Sequence, residues 1–272
     1  MPVPEPSSSA PAGPGPLRVV REPQVYLLGR QVVDHAEVQR FLADHQVSWS
    51  TDTEVGAEAL AEAGGRLCYM SFGAGRKSNR DFLSHILEVG HGSVLEHAVW
   101  NFLVTGVSRS LTHELVRHRA GFGYSQLSQR YVNESEAPFV EPACIAADPE
   151  LDAVWREAVD SSRRAYDALV AGLERKFLHV EDRTLRRKMA RQAARSVLPN
   201  ATETRVFLTA NARALRHFIE MRASREADEE IRALALRMLE ILQRESPHLF
   251  GDYRVETLPD GTRVASTPHR KV

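Results

Sequence analysis

Apolar residues recur along the chain with two periods, and these set out its elements. Phe82, Leu83, Ile86 and Leu87 fall at the i, i+3, i+4 spacing of one helix face, which predicts an amphipathic helix over 79–88 that stops at Gly90. An Ala/Glu-rich run, Glu54–Leu67, reads as a helix that ends near Gly64 and Gly65. Further helices are predicted over Ser108–His118, with Gly121 and Gly123 as stop signals, over the long charged run Asp148–Phe177, and over Arg183–Val197, stopped by Pro199. Asn211–Arg222 and Asp228–Gln243 complete the helices. Strands are predicted where apolar and β-branched residues alternate or cluster: Gln24–Val33, Glu96–Val104 and Thr202–Thr209, with Ser125–Val132 also extended. Between the helices, Ser71–Ser78 is a Gly-rich basic loop.

Helices and strands are interspersed with no internal linker and no repeat. The expected fold is a single α/β domain of the α+β type over 18–257, with a central mixed or antiparallel sheet flanked by long helices. The first 17 residues, rich in Pro, Ser, Ala and Gly, read as a disordered tail, and residues 258–272 as a second, loose tail.

Composition narrows the function classes. The formal net charge of −1 over 272 residues provides no global attraction to nucleic acid or anionic membranes. No apolar run is long enough to span a bilayer, and the N-terminus lacks the basic start and apolar stretch of a signal peptide, so the cytoplasm is the expected location. The two cysteines, Cys68 and Cys144, are too few for a disulfide scaffold and read as reduced thiols. There is no HExxH and no His/Cys cluster at zinc spacing, and no metal site is expected.

The densest chemistry lies in Arg117–Tyr131, RHRAGFGYSQLSQRY. Residues two apart do not share a helix face, so Arg117 and Arg119 reach one ligand only if the helix ends there, as Gly121 and Gly123 imply. Cations in a last helical turn are also an ordinary complement to the helix dipole. In an extended segment, Gln126, Ser128 and Arg130 would line one side, presenting an amide, a hydroxyl and a guanidinium. Such a row suits a ligand with a planar amide edge and a phosphate, although a solvated edge strand has the same pattern. Arg183, Arg187, Arg191 and Arg195 form a basic helical stripe, usually a solvated face or a weak nucleic-acid patch. Arg222 lies at i+7 from Leu215 and continues the apolar stripe of its helix, so it either needs an anionic partner or snorkels at the helix end. The segment GHGSVLEH adds His91, Ser93, Glu96 and His97.

The pairing of RHR with SQLSQRY strongly resembles the signature of flavin-dependent thymidylate synthases. GHGSVLEH and RSVLPNATETRVFLTANARALRHFIEMRAS resemble two further blocks of that family, in the same order. The resemblance covers roughly residues 65–250 and neither tail. It implies reductive methylation of dUMP to dTMP, with methylene-tetrahydrofolate as carbon donor, NADPH as reductant and FAD as the hydride-carrying cofactor. It also implies a homotetramer with shared active sites. By position, Arg117, His118 and Arg119 would contact FAD with His91, Ser93, Asn211 and Arg213, with Gln126 and Cys68 nearby. Gln126, Ser128 and Arg130 would hold dUMP, joined by Glu114, Arg195 and Arg222. The chain departs from the pattern at one place: eight residues, Ala120–Leu127, separate Arg119 from Ser128 where the family has seven. A loop bulge is the expected accommodation.

The better-known thymidylate synthases activate the uracil ring with a cysteine, but neither Cys68 nor Cys144 falls in the nucleotide-binding blocks. Activation is therefore expected to be electrostatic, with Arg222 stabilising charge on the pyrimidine and Ser128 orienting the base. Two alternatives stand beside this reading: a flavoenzyme acting on another uracil nucleotide, and a non-enzymatic nucleotide or RNA binder resting on the 183–195 stripe.

Overall fold

The computed structural model describes residues 15–73, 75–76 and 78–270, so most of the N-terminal tail, and Ala74 and Lys77 of the basic loop, lie outside the described residues. In chain order the elements are β1 (Val19–Val20), β2 (Gln24–Arg30), α1 (His35–Asp44), α2 (Gly56–Leu67), α3 (Asn79–Glu88), β3 (Val99–Ser108), α4 (Arg109–Leu115) and β4 (Phe122–Gln126). Then follow β5 (Phe139–Val140), α5 (Ala143–Ala146), α6 (Pro149–Lys176), α7 (Arg183–Ala194), β6 (Glu203–Asn211), α8 (Ala212–Arg222), α9 (Glu229–Glu245), α10 (Pro247–Phe250), β7 (Arg254–Thr257) and β8 (Arg263–Ser266). The α+β class and the antiparallel sheet agree with the sequence reading. These elements form two compact units.

The larger unit comprises residues 22–126 and 204–272. Its sheet runs in the order β2-β3-β6-β4, with β2 antiparallel to β3 and β4 antiparallel to β6. Alternation explains β3: Trp100, Phe102 and Val104 are fully buried, while the residues between them are half-exposed. They join Leu208 of β6, Leu215 and Phe218 of α8, and Leu234 and Leu239 of α9 in one core. Trp100 meets Phe250 edge-on at 5.7 Å. The predicted helix over 79–88 is α3, capped by Ser78, whose hydroxyl accepts from the Asp81 N–H.

The smaller unit comprises, among the described residues, 15–21 and 127–203. Here α6 packs along α7, burying Val159, Tyr166, Ala190 and Ala194. Two-residue strands β1 and β5 pair in parallel.

Several expectations need correction. Glu96 and His97 belong to a 3₁₀ turn over Gly92–His97, and the strand begins only at Val99. Asp34 caps α1, an element the pattern reading did not single out, by accepting from the Ala36 and Glu37 N–H groups. The C-terminal stretch from Leu258 is not loose: β8 pairs with β7 from Arg254↔Ser266 to Thr257↔Arg263. Apolar content there is low, which hid the hairpin, but its Val264 and Thr267 are buried.

Candidate functional site

The site of the larger unit is built where α4 stops. Ser108 opens that helix, its hydroxyl accepting from the Leu111 N–H at 3.0 Å. Its own N–H and O–H donate to the Glu230 carboxylate, both at 2.6 Å. The helix ends at Leu115, so Arg117, His118 and Arg119 leave it on a turn rather than sharing a helical face. The Tyr124 hydroxyl reaches the carbonyls of Leu115 at 2.9 Å and His118 at 2.8 Å, fastening this turn from β4. The sequence did not mark Tyr124 as functional; its only signal was an aromatic in the signature segment.

The chain then reverses at Gly121, whose φ of +73° lies in the left-handed region. A β-carbon at Gly121 would sit 2.7 Å from Asn211 Nδ2, and the Asn211 N–H donates to the Gly121 carbonyl at 3.2 Å. Pairing of β4 with β6 runs without a break from Phe122↔Ala210 to Gln126↔Val206. The eight-residue spacing therefore produces no bulge in β4, and the close turn at Gly121 precedes an unbroken ladder.

Three of the sequence blocks meet at this end of the sheet. Asn211 caps α8, its Oδ1 accepting from the Ala214 N–H at 2.9 Å. Arg213 Nη1 donates to Glu96 of the 3₁₀ turn at 2.6 Å. His91 and Ser93 in the same stretch are exposed, and the His91 ring stacks on Tyr69 with centroids 6.5 Å apart. Cys68 lies just past α2, exposed, its thiol on the Gly64 carbonyl. Arg117 donates to the His113 carbonyl at 3.0 Å. Arg119 is exposed.

Deeper in, Arg222 bridges two groups. Its Nε donates to His118 Nε2 at 3.0 Å, and its Nη1 to Glu114 Oε2 at 2.6 Å. The partner that a cation on this stripe required is thus the chain's own Glu114, with His118 as a second acceptor. Burial, the Arg222 charge and His217 together push His118 down to about 4, so it is neutral and able to accept. Glu114 is raised, by burial first and then by hydrogen bonding to Asp228 and its charge, against the opposing Arg222 charge. Phe218 packs edge-on against His118 at 5.2 Å.

The depressed His118 has a consequence for stability. Between its ordinary value of 6.5 and about 4, the unfolded chain takes up a proton at this site that the folded chain does not. Stability should therefore fall as pH drops through that window, because protonation removes the acceptor for Arg222. Urea titrations at pH 7, 6, 5 and 4 should show this slope, and His118→Gln, which keeps an acceptor but cannot titrate, should flatten it. An unchanged slope in the variant would refute the assignment.

In the smaller unit the predicted extended face does not form. β4 ends at Gln126, in the larger unit, and Ser128 and Arg130 fall in a turn. The Tyr131 and Val132 N–H groups donate to the Ser128 carbonyl at 3.3 and 3.0 Å, and the Arg130 N–H points at Ser128 Oγ at 3.4 Å. Period-two spacing thus ceases at Gln126, whose amide donates to Thr112 Oγ1 at 3.1 Å. Lys188 and Arg130 lie 4.9 and 5.8 Å from the Tyr131 ring centroid, and Arg191 donates to the Tyr131 carbonyl at 2.5 Å. A hydrogen bond from Lys188 and its charge lower the Tyr131 phenol. Tyr131 is a second polar aromatic that the sequence reading passed over. Arg195 sits exposed at the end of α7 and begins a 3₁₀ turn.

This end of the sheet gathers exposed cations, a neutral histidine and a paired arginine. The family model described as thymidylate synthase complementing protein matches residues 51–248. A protein from Mycobacteroides abscessus named flavin-dependent thymidylate synthase is 53% identical over 231 residues, 84% of this chain and 92% of its own. Proteins of the same name from Mycobacterium avium and Mycolicibacterium gilvum are 52% and 53% identical with the same coverage. The chain belongs to the flavin-dependent thymidylate synthase family.

Proposed function

We propose that this enzyme methylates dUMP to dTMP, taking the carbon from methylene-tetrahydrofolate and reducing equivalents from NADPH through FAD. The observation that carries the reading is the meeting, at one end of the sheet, of the RHR turn, the His91–Ser93 stretch and the start of α8. The donor set fits a flavin dinucleotide: Arg117, Arg119 and His91 are exposed, Asn211 keeps its Nδ2 available beyond the cap, and Arg213 lies beside it. When bound, FAD supplies the hydride chemistry.

The chain's own residues bind and polarise the nucleotide. Arg130 grips the phosphate, Ser128 and Gln126 orient the base, and Arg195 and Arg222 stabilise negative charge developing on the pyrimidine carbonyls. Glu114 holds Arg222 in place for that task. Cys68 and Cys144 are exposed and lie outside these segments, so no enzyme nucleophile adds to the ring. We further propose a cytoplasmic homotetramer; the exposed Tyr26, Leu28 and Val32 supply apolar surface for assembly. Among the described residues no helix is long and apolar enough to cross a membrane.

The test is anaerobic dTMP formation from dUMP, methylene-tetrahydrofolate and NADPH, with and without FAD, beside Arg130→Ala. Product should require every component, and Arg130→Ala should lower kcat/KM by about 10²-fold, the scale of one lost charge-assisted phosphate contact. Flavin binding without product would move the reading to another uracil nucleotide or carbon donor. Neither flavin binding nor product, with steeply salt-dependent RNA binding, would replace it with a nucleic-acid binder.

A further inference from the structure

The C-terminal hairpin lies beyond the segment matched by the family model, which ends at 248, yet it is tied to the helix that carries Arg222. Two separate attachments make the tie. The first is a backbone bond: the Ala265 N–H of β8 donates to the Ala223 carbonyl at 2.8 Å. Ala223 is the C-cap of α8 and the residue next to Arg222. This bond satisfies a carbonyl in the last turn, where a helix lacks partners of its own.

The second attachment is a buried latch around Arg216, on the same helix. Arg216 Nη1 and Nη2 form a fork onto Asp252 Oδ1 and Oδ2 at 2.7 and 2.8 Å. Nη1 also donates to the Leu249 carbonyl at 2.6 Å. Nη2 reaches Thr267 Oγ1 and the His269 carbonyl, both at 3.3 Å, just past β8. The Thr267 hydroxyl donates in turn to Asp252 Oδ2, and the His269 N–H donates to Thr267 Oγ1 at 3.0 Å. Thr267 is thus the clasp: one hydroxyl joins the end of β8 to the Arg216–Asp252 pair. From the other side, the Tyr253 hydroxyl donates to the Arg216 carbonyl at 3.0 Å.

Arg216 and Arg222 are six residues apart, about 9 Å along the helix axis. A shift of the last turn of α8 would displace the Arg222 guanidinium from the bridge it makes to His118 and Glu114. The opposite end of α8 is fixed independently, by the Asn211 cap and the close contact with Gly121. The start of α8, on the proposed flavin side, is therefore anchored at Asn211, its finish, on the proposed nucleotide side, by the Ala265 bond, and the Arg216 latch holds its middle between them.

We propose that Thr267 and Asp252 are positioning residues for dUMP, holding the Arg222 end of α8 through Arg216, with the Ala265 backbone bond as their second hold. This rests on Arg222 contacting the nucleotide, as argued above. The test uses the FAD-loaded enzyme with Thr267→Val, which keeps the shape and removes the hydroxyl, and Thr267→Ser, which restores it. Ala265→Pro is the second probe, since it deletes the N–H donated to Ala223. Thr267→Val and Ala265→Pro should each raise KM for dUMP and lower kcat, each about tenfold, with FAD affinity changed less than about twofold. Thr267→Ser should return KM to the parent value. In an Arg222→Ala background, Thr267→Val should add nothing further, because both changes act through one group.

An unchanged dUMP KM in both Thr267→Val and Ala265→Pro would overturn the proposal. So would FAD affinity falling in parallel with KM, the sign of general loosening, or an undiminished Thr267→Val effect without Arg222. If Arg222→Ala itself leaves dUMP kinetics unchanged, the nucleotide role of Arg222 fails and takes this inference with it. A large Arg222→Ala effect beside a silent Thr267→Val sinks the positioning role alone.

Discussion

Arg222→Ala is expected to lower kcat for dTMP formation by about 10²–10³-fold, the usual consequence of deleting one preorganised group that meets charge developing in a transition state. The expectation follows from how Arg222 is held. Its guanidinium is fixed by two acceptors, His118 at 3.0 Å and Glu114 at 2.6 Å. Two anchors for one side chain reduce the reorganisation needed when a ligand meets the remaining N–H groups. Arg222→Lys should recover only part of the rate: a lysine keeps the charge but has no planar fork to bridge His118 and Glu114 together. Removing the guanidinium also removes a charge that depresses His118, so the imidazole should titrate closer to its ordinary range in the alanine variant. Single-turnover rates with saturating dUMP, together with NMR titration of the His118 ring, check both parts. A variant with parent-like kcat and a shifted His118 would confine Arg222 to a structural role.

The same residue shows where sequence reasoning reached its limit. Its place on the apolar stripe of α8 was legible because helical periodicity depends only on spacing along one chain. That stripe said an ionic partner was needed but not which one, because Glu114 is 108 positions away and the pairing exists only once the chain folds and brings the ends of α4 and α8 together. Gly121 was legible as a helix stop, since glycine has a local meaning. Its contact with Asn211, which brings two blocks together, was not. The error at Ser128 has a local cause: an alternating polar pattern does not distinguish a continuing strand from a turn, and the chain turns right after Gln126. Tyr124 and Tyr131 escaped notice because their partners are largely backbone carbonyls and a lysine from a distant helix. The β7–β8 hairpin joins its own ladder and polar contacts to Arg216 with few apolar contacts, from Val264 and Ala265, so a search for apolar alternation found little there.

Glu58→Ala is expected to destabilise the fold by about 3–5 kcal/mol, from several hydrogen-bond donors left unmet at about 1–3 kcal/mol each together with a cavity. Sequence alone makes Glu58 look like one of several solvated glutamates on an Ala/Glu-rich helix. In the structure it is fully buried. Its Oε1 accepts from the Ser246 hydroxyl and the His248 N–H, both at 2.9 Å. Its Oε2 accepts from the Thr53 hydroxyl at 2.7 Å and faces His248 Nδ1 at 2.9 Å. The neighbouring Glu62, also fully buried, has Arg66 Nε at 2.7 Å as a cationic partner. Glu58 depends instead on this ring of donors, drawn from the loop before α2 and from the start of α10. Alanine would take the acceptor from the buried Ser246 hydroxyl and from the part-buried Thr53 hydroxyl and His248 N–H, and would open a cavity as well. Glu58→Gln should cost less, about 1–3 kcal/mol, because the shape survives and only one of its two oxygens becomes a donor facing donors. Urea unfolding with fitted m values separates these outcomes from a change in cooperativity. Glu37→Ala on exposed α1, where among the described residues the side-chain partner is Arg40 one turn away, is the control and should leave the midpoint nearly unchanged. A Glu58→Ala loss below about 1 kcal/mol would mean that the donors find water instead, and that α10 is not held to α2 through this carboxylate.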